Sequence, residues 1–130
     1  SSSPTGIAKA IVRGDVAAIS ENAAEVRARA IVPIPEHLPE DVRVGLETYL
    51  LDGERSITPL GLAVAAGRPE MVRSLIEVGV DVDALLHPQD PIGRTPLMLA
   101  AGMDHPDVVA ILLAAGADPG VELRAEIPGD

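Results

Sequence analysis

One stretch of this sequence nearly recurs, and the recurrence limits the available folds more than any other feature. The first copy, Thr58–Asp83, reads TPLGLAVAAGRPEMVRSLIEVGVDVD, and the second, Thr95–Asp118, reads TPLMLAAGMDHPDVVAILLAAGAD. Each copy predicts a Thr-Pro start, a short apolar helix, a break, a second apolar helix and a closing Gly-x-Asp turn. Two short antiparallel helices cannot bury their shared face alone, so the copies must stack on one another. The repeat therefore predicts a stacked, all-α architecture.

The helix ends of both copies carry the expected local signals. Thr58 and Thr95 can cap helix N-termini, and the Pro that follows each of them loses no needed hydrogen bond. Gly67 ends the first helix of the first copy, and Gly79 and Gly116 close the second helix of each copy. In the second copy the predicted helices are Pro96–Ala101 and Pro106–Ala115.

The N-terminal region predicts a further, less regular helix pair. Apolar residues in Thr5–Ala30 recur on one helical face, and Gly14 interrupts this pattern as a helix C-terminal residue would. Asp15 then begins a second helix, where its acid complements the helix dipole. Pro33 and Pro35 stop the pair and predict an extended linker.

The segment from Pro39 to Gly53 supports two interpretations. Its apolar residues fit one helix face, and Pro39 with the two acids after it would make a good first turn. The same segment also alternates as a strand would, with Asp52-Gly53 as a hairpin turn. We favour the helix and keep the strand as the alternative. The later segment Ala84–Arg94 predicts a long, polar-tipped connection.

Composition decides which core and which partners the chain can have. Hydrophobic residues make up 47% of the chain but aromatic residues only 1%, so the core must be built from small aliphatic side chains. The net charge of −10 repels phosphate, which argues against nucleic acid and anionic membranes as partners. Cysteine is absent, which excludes disulfides and thiolate metal sites. The sequence shows neither a membrane span nor a signal peptide, so we expect a cytoplasmic protein, with a removed signal peptide as the alternative.

These features together resemble the ankyrin repeat, which has a period of about 33 residues and a Thr-Pro-Leu-His-x-Ala signature. The similarity covers Gly53–Asp83 and Asp90–Gly120, and Thr5–Ala23 looks like a degenerate first repeat. It implies an all-α ankyrin-repeat solenoid of stacked helix-turn-helix units with short β-turn connections. The single domain would comprise a degenerate helix pair (5–30), an insertion (31–53), a repeat (54–83), a long turn (84–94), a repeat (95–120) and a tail (121–130).

Three features depart from the family pattern. The signature His is replaced by Gly61 in one copy and by Met98 in the other, and Gly61 costs about 1 kcal/mol in a helix relative to Ala. The chain also has more residues than three regular repeats need, and such insertions often emerge on a binding face. Finally, the last helix lacks the polar residues that the first copy carries, namely Arg73, Ser74 and Glu77.

An uncapped last helix exposes an apolar strip, and a solenoid normally needs a polar outer face at its end. Val109, Ile111 and Leu113 would form this possible apolar interface. Three alternatives could cover this strip: the tail through Val121, Leu123 and Ile127, a second copy of the chain, or a further domain. The protein would accordingly be a monomer, or a dimer through its C-terminal repeat.

No catalytic, cofactor-binding or metal-ligating residues emerge from the sequence. Phosphate-binding glycine motifs are absent, and His37 and His87 share no spacing with carboxylates that would suggest a metal. His105 falls where ankyrin repeats commonly carry a His between the two helices, which indicates a structural role. We therefore expect no enzyme and no cofactor.

The resemblance implies a protein partner, contacted by the β-turn tips and the inner face of each first helix. Arg94 and Met103 are the best anchors, since Arg and Met are enriched in interfaces. The alternatives are a structural or regulatory segment that packs on a neighbour through the C-terminal repeat, or an acidic decoy of a nucleic-acid-binding protein. Carried over by position, the contact residues are Glu54, Arg55, Ile57 and Arg68 in the first copy, and Pro91, Ile92, Arg94 and Met103 in the second.

Overall fold

Helices stack in pairs along the chain in the computed structural model, which describes residues 4–50 and 53–119. The helix pairs of the two copies begin and end close to the predicted residues. The tail that was one candidate to cover the last helix lies outside the described residues. The elements are α1 (Pro4–Arg13), α2 (Val16–Glu21), α3 (Ala23–Ala28), β1 (Val32–Pro33), α4 (Glu40–Tyr49), β2 (Ser56–Ile57), α5 (Pro59–Ala65), α6 (Pro69–Val78), α7 (Pro96–Gly102) and α8 (Pro106–Ala114).

Two parallel rows of helices carry the architecture. The first helices of each pair, α1, α5 and α7, stack in chain order and form what we term the first-helix row. The second helices, α2, α6 and α8, stack in the same order and form the second-helix row. The predicted all-α repeat solenoid is confirmed, and the N-terminal pair stacks on α5 and α6 as those helices stack on the next pair. None of the helices in the described part of the chain is long and apolar enough to cross a membrane.

Local signals set the helix ends as the sequence predicts. The Thr58 hydroxyl accepts a hydrogen bond from the Gly61 N–H at 3.4 Å, and the Thr95 hydroxyl accepts one from the Met98 N–H at 3.2 Å. The Asp15 carboxylate caps α2 by accepting from the Ala18 N–H at 3.2 Å. These caps satisfy N–H groups that have no partner within the first turn of a helix.

The turn between the two helices of a pair requires a left-handed backbone. Gly67 occupies this position in the first copy with φ of 67°, and Asp104 occupies the equivalent position in the second with φ of 60°. Aspartate tolerates this region better than most side chains because it is short and polar. The second copy therefore keeps the left-handed turn, although Asp104 stands where the first copy has Gly67.

The segment after Pro39 is a helix, so the favoured interpretation is confirmed and the strand alternative is wrong. Helix α4 begins at Glu40, directly after Pro39, and has Glu40 and Asp41 in its first turn. Acidic side chains there interact favourably with the helix dipole. The helical face is set by Val42 and Leu46, both buried one turn apart.

Two loop structures, which we term fingers, project beside the first helices. The first finger (residues 32–57) starts and ends with β1 and β2, which pair antiparallel, and it contains α4 between them. The second finger (residues 86–94) is closed by a bond from the Leu86 N–H to the Arg94 carbonyl at 2.9 Å. The Leu86 carbonyl also accepts from the Thr58 N–H at 2.9 Å, which joins the second finger to the end of the first.

Candidate binding surface

Helix α4 packs against the middle helix of the first-helix row. That helix, α5, also contacts α1, α6 and α7. As a result, every residue of α5 from Pro59 to Ala65 is buried. The inner face of the first helices was predicted to contact a partner, but at α5 every residue is buried by the protein's own elements.

The far end of α4 reaches the end of α7. The Met103 side chain lies against Gly45 of α4, and the Tyr49 ring of α4 lies against Gly102, so neither glycine has room for a β-carbon. Met103, predicted as a partner anchor, is half-buried in this internal contact. The long Met103 side chain helps α4 to pack on the repeats. The spacing of residues along the sequence could not predict this contact.

The residue before the second helix of each copy packs back on the preceding repeat. The Arg68 Nε donates to the Val12 carbonyl at 2.6 Å, and its guanidinium lies over Gly14. His105, at the equivalent position of the next copy, places its ring over Gly67. Arg68 therefore contributes to the packing of one repeat on the preceding one. The placement of His105 agrees with its predicted structural role.

An ion pair inside the second finger holds the tip in shape. The Asp90 carboxylate accepts from Arg94 Nε at 3.0 Å and from Arg94 Nη2 at 3.3 Å. It also accepts from the backbone N–H groups of Ile92 and Arg94, both at 3.1 Å. The Asp90 side chain is 3% exposed and the Arg94 side chain 12%, so Arg94 is engaged inside the finger.

The charge state of Asp90 follows from this arrangement. Burial acts to raise its pKa, but the hydrogen bonds from the Arg94 side chain and from the Ile92 and Arg94 N–H groups, with the Arg94 charge, outweigh burial. The net effect is a pKa below the ordinary value of an aspartate. Asp90 therefore stays ionised through the neutral range, where it organises four donors around itself.

A second polar contact joins the two fingers. Glu54 Oε1 accepts from the Ser56 hydroxyl at 3.1 Å and lies 3.3 Å from His87 Nε2. The other ring nitrogen of His87 accepts from the Gln89 N–H at 3.1 Å, which orients the imidazole. Glu54 is thus half-buried, and Ile57, at the end of the first finger, is completely buried.

Three of the eight predicted contact residues are solvent-exposed. Arg55 is exposed in the first finger, and Pro91 and Ile92 are exposed at the tip of the second. Among the large apolar residues that the structure describes, Ile92 has the largest exposed fraction, at 64%. The predicted contact residues therefore do not form one continuous surface, since the other five contact the protein's own backbone and side chains.

The last helix exposes part of the predicted apolar strip. Leu113 is 43% exposed, whereas Val109 and Ile111 are half-buried. Ala110, Ala114 and Ala115 add small exposed side chains. In the preceding repeat Arg73 and Glu77 are exposed as expected, but Ser74 is buried, so only two of the three residues compared give that helix a polar face.

The described residues contain no group of three or more His, Asp or Glu side chains placed to hold a metal ion.

A protein-family model described as ankyrin repeats (3 copies) matches residues 36–122, which is more than half of the chain. The match includes α4 and both clear repeats and leaves the N-terminal helix pair outside. No curated protein matches the sequence.

Proposed function

Because this chain belongs to the ankyrin-repeat family, whose repeats are generally protein–protein interaction modules, we propose that it docks a protein partner through the tip of its second finger. Ile92 is the central contact, Pro91 beside it is exposed on the same finger, and Arg55 is exposed on the other finger. The inner helix face contributes less than the family resemblance implies, because every residue of α5 is buried within the protein.

The observation that carries this proposal is the combination of exposure and rigidity at Ile92. Its side chain is 64% exposed, yet its own N–H is held by the Asp90 carboxylate at 3.1 Å. A preorganised loop loses little conformational entropy when it binds, so more of the contact energy is retained as affinity. An aliphatic side chain on such a loop is suited to fill an apolar pocket on a partner.

The test uses the absence of cysteine from the chain. A single cysteine in place of Ile92 is labelled with a photo-cross-linker, and cross-linked proteins from native lysate are identified by mass spectrometry. The same label at Val16, an exposed aliphatic residue of α2, is the matched control. We expect a protein cross-linked from position 92 and not from position 16, and its capture should fall with Ile92→Ser. Identical cross-links from both positions would contradict the proposal.

A second candidate function is supported by the exposure of Leu113. In this alternative the chain is a structural or regulatory segment that packs on a neighbouring chain through α8. Light scattering separates the two cases, because Leu113→Ser would then change the assembly while Ile92→Ser would not. The acidic-decoy alternative predicts instead that binding weakens steeply as salt is raised, whereas apolar docking responds little.

A further inference from the structure

Sulfur chemistry in this chain is confined to three methionines, because cysteine is absent. Met71 is completely buried in the core. Met98 lies near the start of α7 and Met103 directly after its end, and both are half-buried. An oxidant attacks a thioether only where it can reach it, so these two residues are the ones open to oxidation.

Met103 bridges α7 and α4. Its Cγ, Sδ and Cε atoms all lie close to the position that a β-carbon on Gly45 of α4 would take, with the sulfur 2.6 Å from that position. Gly45 itself is buried. The sulfur of Met103 therefore packs directly on the backbone of α4.

The same side chain lines a shallow cleft of about 710 Å³ between α4 and the end of α7. Glu40 and Asp41, both exposed at the start of α4, line the cleft as well. These acids and the net charge of −10 repel anionic oxidants but not neutral hydrogen peroxide. A small neutral oxidant therefore has access to a side chain that holds two elements together.

We propose that Met103 is a reversible oxidation site for peroxide, and that its sulfoxide releases α4 from the end of α7. The thioether sulfur attacks one peroxide oxygen, so that an S–O bond forms and the O–O bond breaks. The sulfur is oxidised by two electrons, the peroxide is reduced, and one water molecule leaves with both peroxide protons.

The product no longer suits the contact with Gly45. Oxidation places a polar acceptor on a side chain that was apolar. The Gly45 N–H lies inside α4, where the helix's own hydrogen bonding uses it, so it offers no donor to the new oxygen. A buried acceptor without a donor is unfavourable, and a sulfoxide that turns to water withdraws from the glycine. Since α4 belongs to the first finger, that finger loosens with it. The inference is independent of docking through Ile92.

The test compares two conservative variants, because Leu replaces Met with little change in volume. Met98→Leu keeps Met103 as the accessible methionine, and Met103→Leu is the matched control that keeps Met98. Each is treated with hydrogen peroxide, the oxidised residues are located by peptide-mapping mass spectrometry, and amide hydrogen exchange is measured over residues 40–49. In Met98→Leu we expect oxygen on Met103 and about tenfold faster exchange in α4, reversed by methionine sulfoxide reductases. In Met103→Leu the exchange of α4 should not change.

A second readout uses Tyr49, the single aromatic residue of the chain. Its ring lies against Gly102, so acrylamide quenching of its fluorescence should increase when oxidation releases α4.

Four outcomes overturn the proposal. Met103 could resist peroxide under conditions that oxidise Met98, the exchange of α4 could be the same before and after oxidation of Met103, or it could rise equally in Met103→Leu. Exchange that stays fast after the reductases have removed the oxygen would show irreversible unfolding in place of a reversible release.

Discussion

The ring of Tyr49 on α4 lies against Gly102 at the end of α7, in the space that a β-carbon would need. These residues belong to elements separated by two other helices, so the contact fixes the position of α4 on the repeats. Because α4 interrupts the first finger, its docking also holds that finger close to the first-helix row.

This contact predicts the effect of Gly102→Ala. The added methyl group must displace Tyr49, and overpacking of this kind costs about 1–3 kcal/mol. A gain of up to about 1 kcal/mol in helix propensity offsets part of the loss. We expect the free energy of unfolding, measured by urea denaturation, to fall by about 1 kcal/mol. In a Tyr49→Ala background the substitution should cost nothing, and an equal loss in both backgrounds would show that the ring contact is not the cause.

The buried ion pair predicts a loss of stability in Asp90→Asn. The substitution leaves the Arg94 guanidinium without its charged partner, and hydrogen bonds to charged groups contribute about 1.5–3 kcal/mol each. We expect a loss of about 2 kcal/mol at pH 7 by urea denaturation. The matched control is Glu47→Gln, which removes the carboxylate of the exposed Glu47–Arg43 pair and should cost less than about 0.5 kcal/mol.

The same ion pair predicts a pH dependence. The pKa of Asp90 is lower in the folded protein than its ordinary value of about 3.9, so ionised Asp90 stabilises the folded state above that value. This stabilisation is lost as the pH falls through the folded pKa. We therefore expect the difference in stability between wild type and Asp90→Asn to be constant from pH 7 to about 5 and to shrink below about pH 4. A difference that grows on acidification would refute this assignment.

The helix cap of the last repeat predicts a loss of about 1 kcal/mol for Thr95→Ala. The hydroxyl of Thr95 accepts from the Met98 N–H, and its removal leaves that donor unsatisfied at a buried helix end. Thr95→Ser keeps the hydroxyl and should retain most of the stability in thermal denaturation. An equal loss of stability in Thr95→Ser and Thr95→Ala would show that the methyl group of Thr95 matters more than its hydroxyl cap.

The last helix predicts opposite outcomes for two adjacent leucines. Leu112 is completely buried, so Leu112→Ser should cost at least about 3 kcal/mol through lost packing and a buried hydroxyl. Leu113 is 43% exposed, and Leu113→Ser should stay within about 1 kcal/mol. Both are measured by urea denaturation of the full chain. A large loss for Leu113→Ser would mean that another part of the chain covers this face in solution.

Local features of the sequence predict most of the repeat geometry correctly. Thr58 and Thr95 cap helices as expected, and Gly79 and Gly116 adopt the left-handed backbone that ends a helix, with φ of 104° and 101°. Each of these features depends on hydrogen bonds between residues a few positions apart. Such short-range geometry is encoded by residue type and spacing, and so the helix pairs follow from the sequence alone.

The candidate binding surface does not follow from the sequence in the same way. Arg94 and Met103 are predicted anchors because their residue types are common in interfaces, but Asp90 holds the first and α4 covers the second. Gly61 is expected to cost its helix stability, yet a β-carbon there would lie 3.0 Å from both Ile57 and Leu86. The contacts of Met103 with α4 and of Gly61 with Leu86 come from distant segments, whereas Asp90 lies only four residues from Arg94, a spacing at which opposite charges could have been paired.

The sequence by itself determined the repeating unit of this protein, its helix boundaries, its small-residue core and its acidic charge. Only the tertiary structure decided that α4 folds back over α5 and which predicted contacts remain exposed. The reason is that burial depends on which distant segments meet, and a helix such as α4 has the same apolar face whether it packs on its own chain or on a partner. Ile92 is exposed at the tip of the second finger, whose shape the Asp90–Arg94 pair holds.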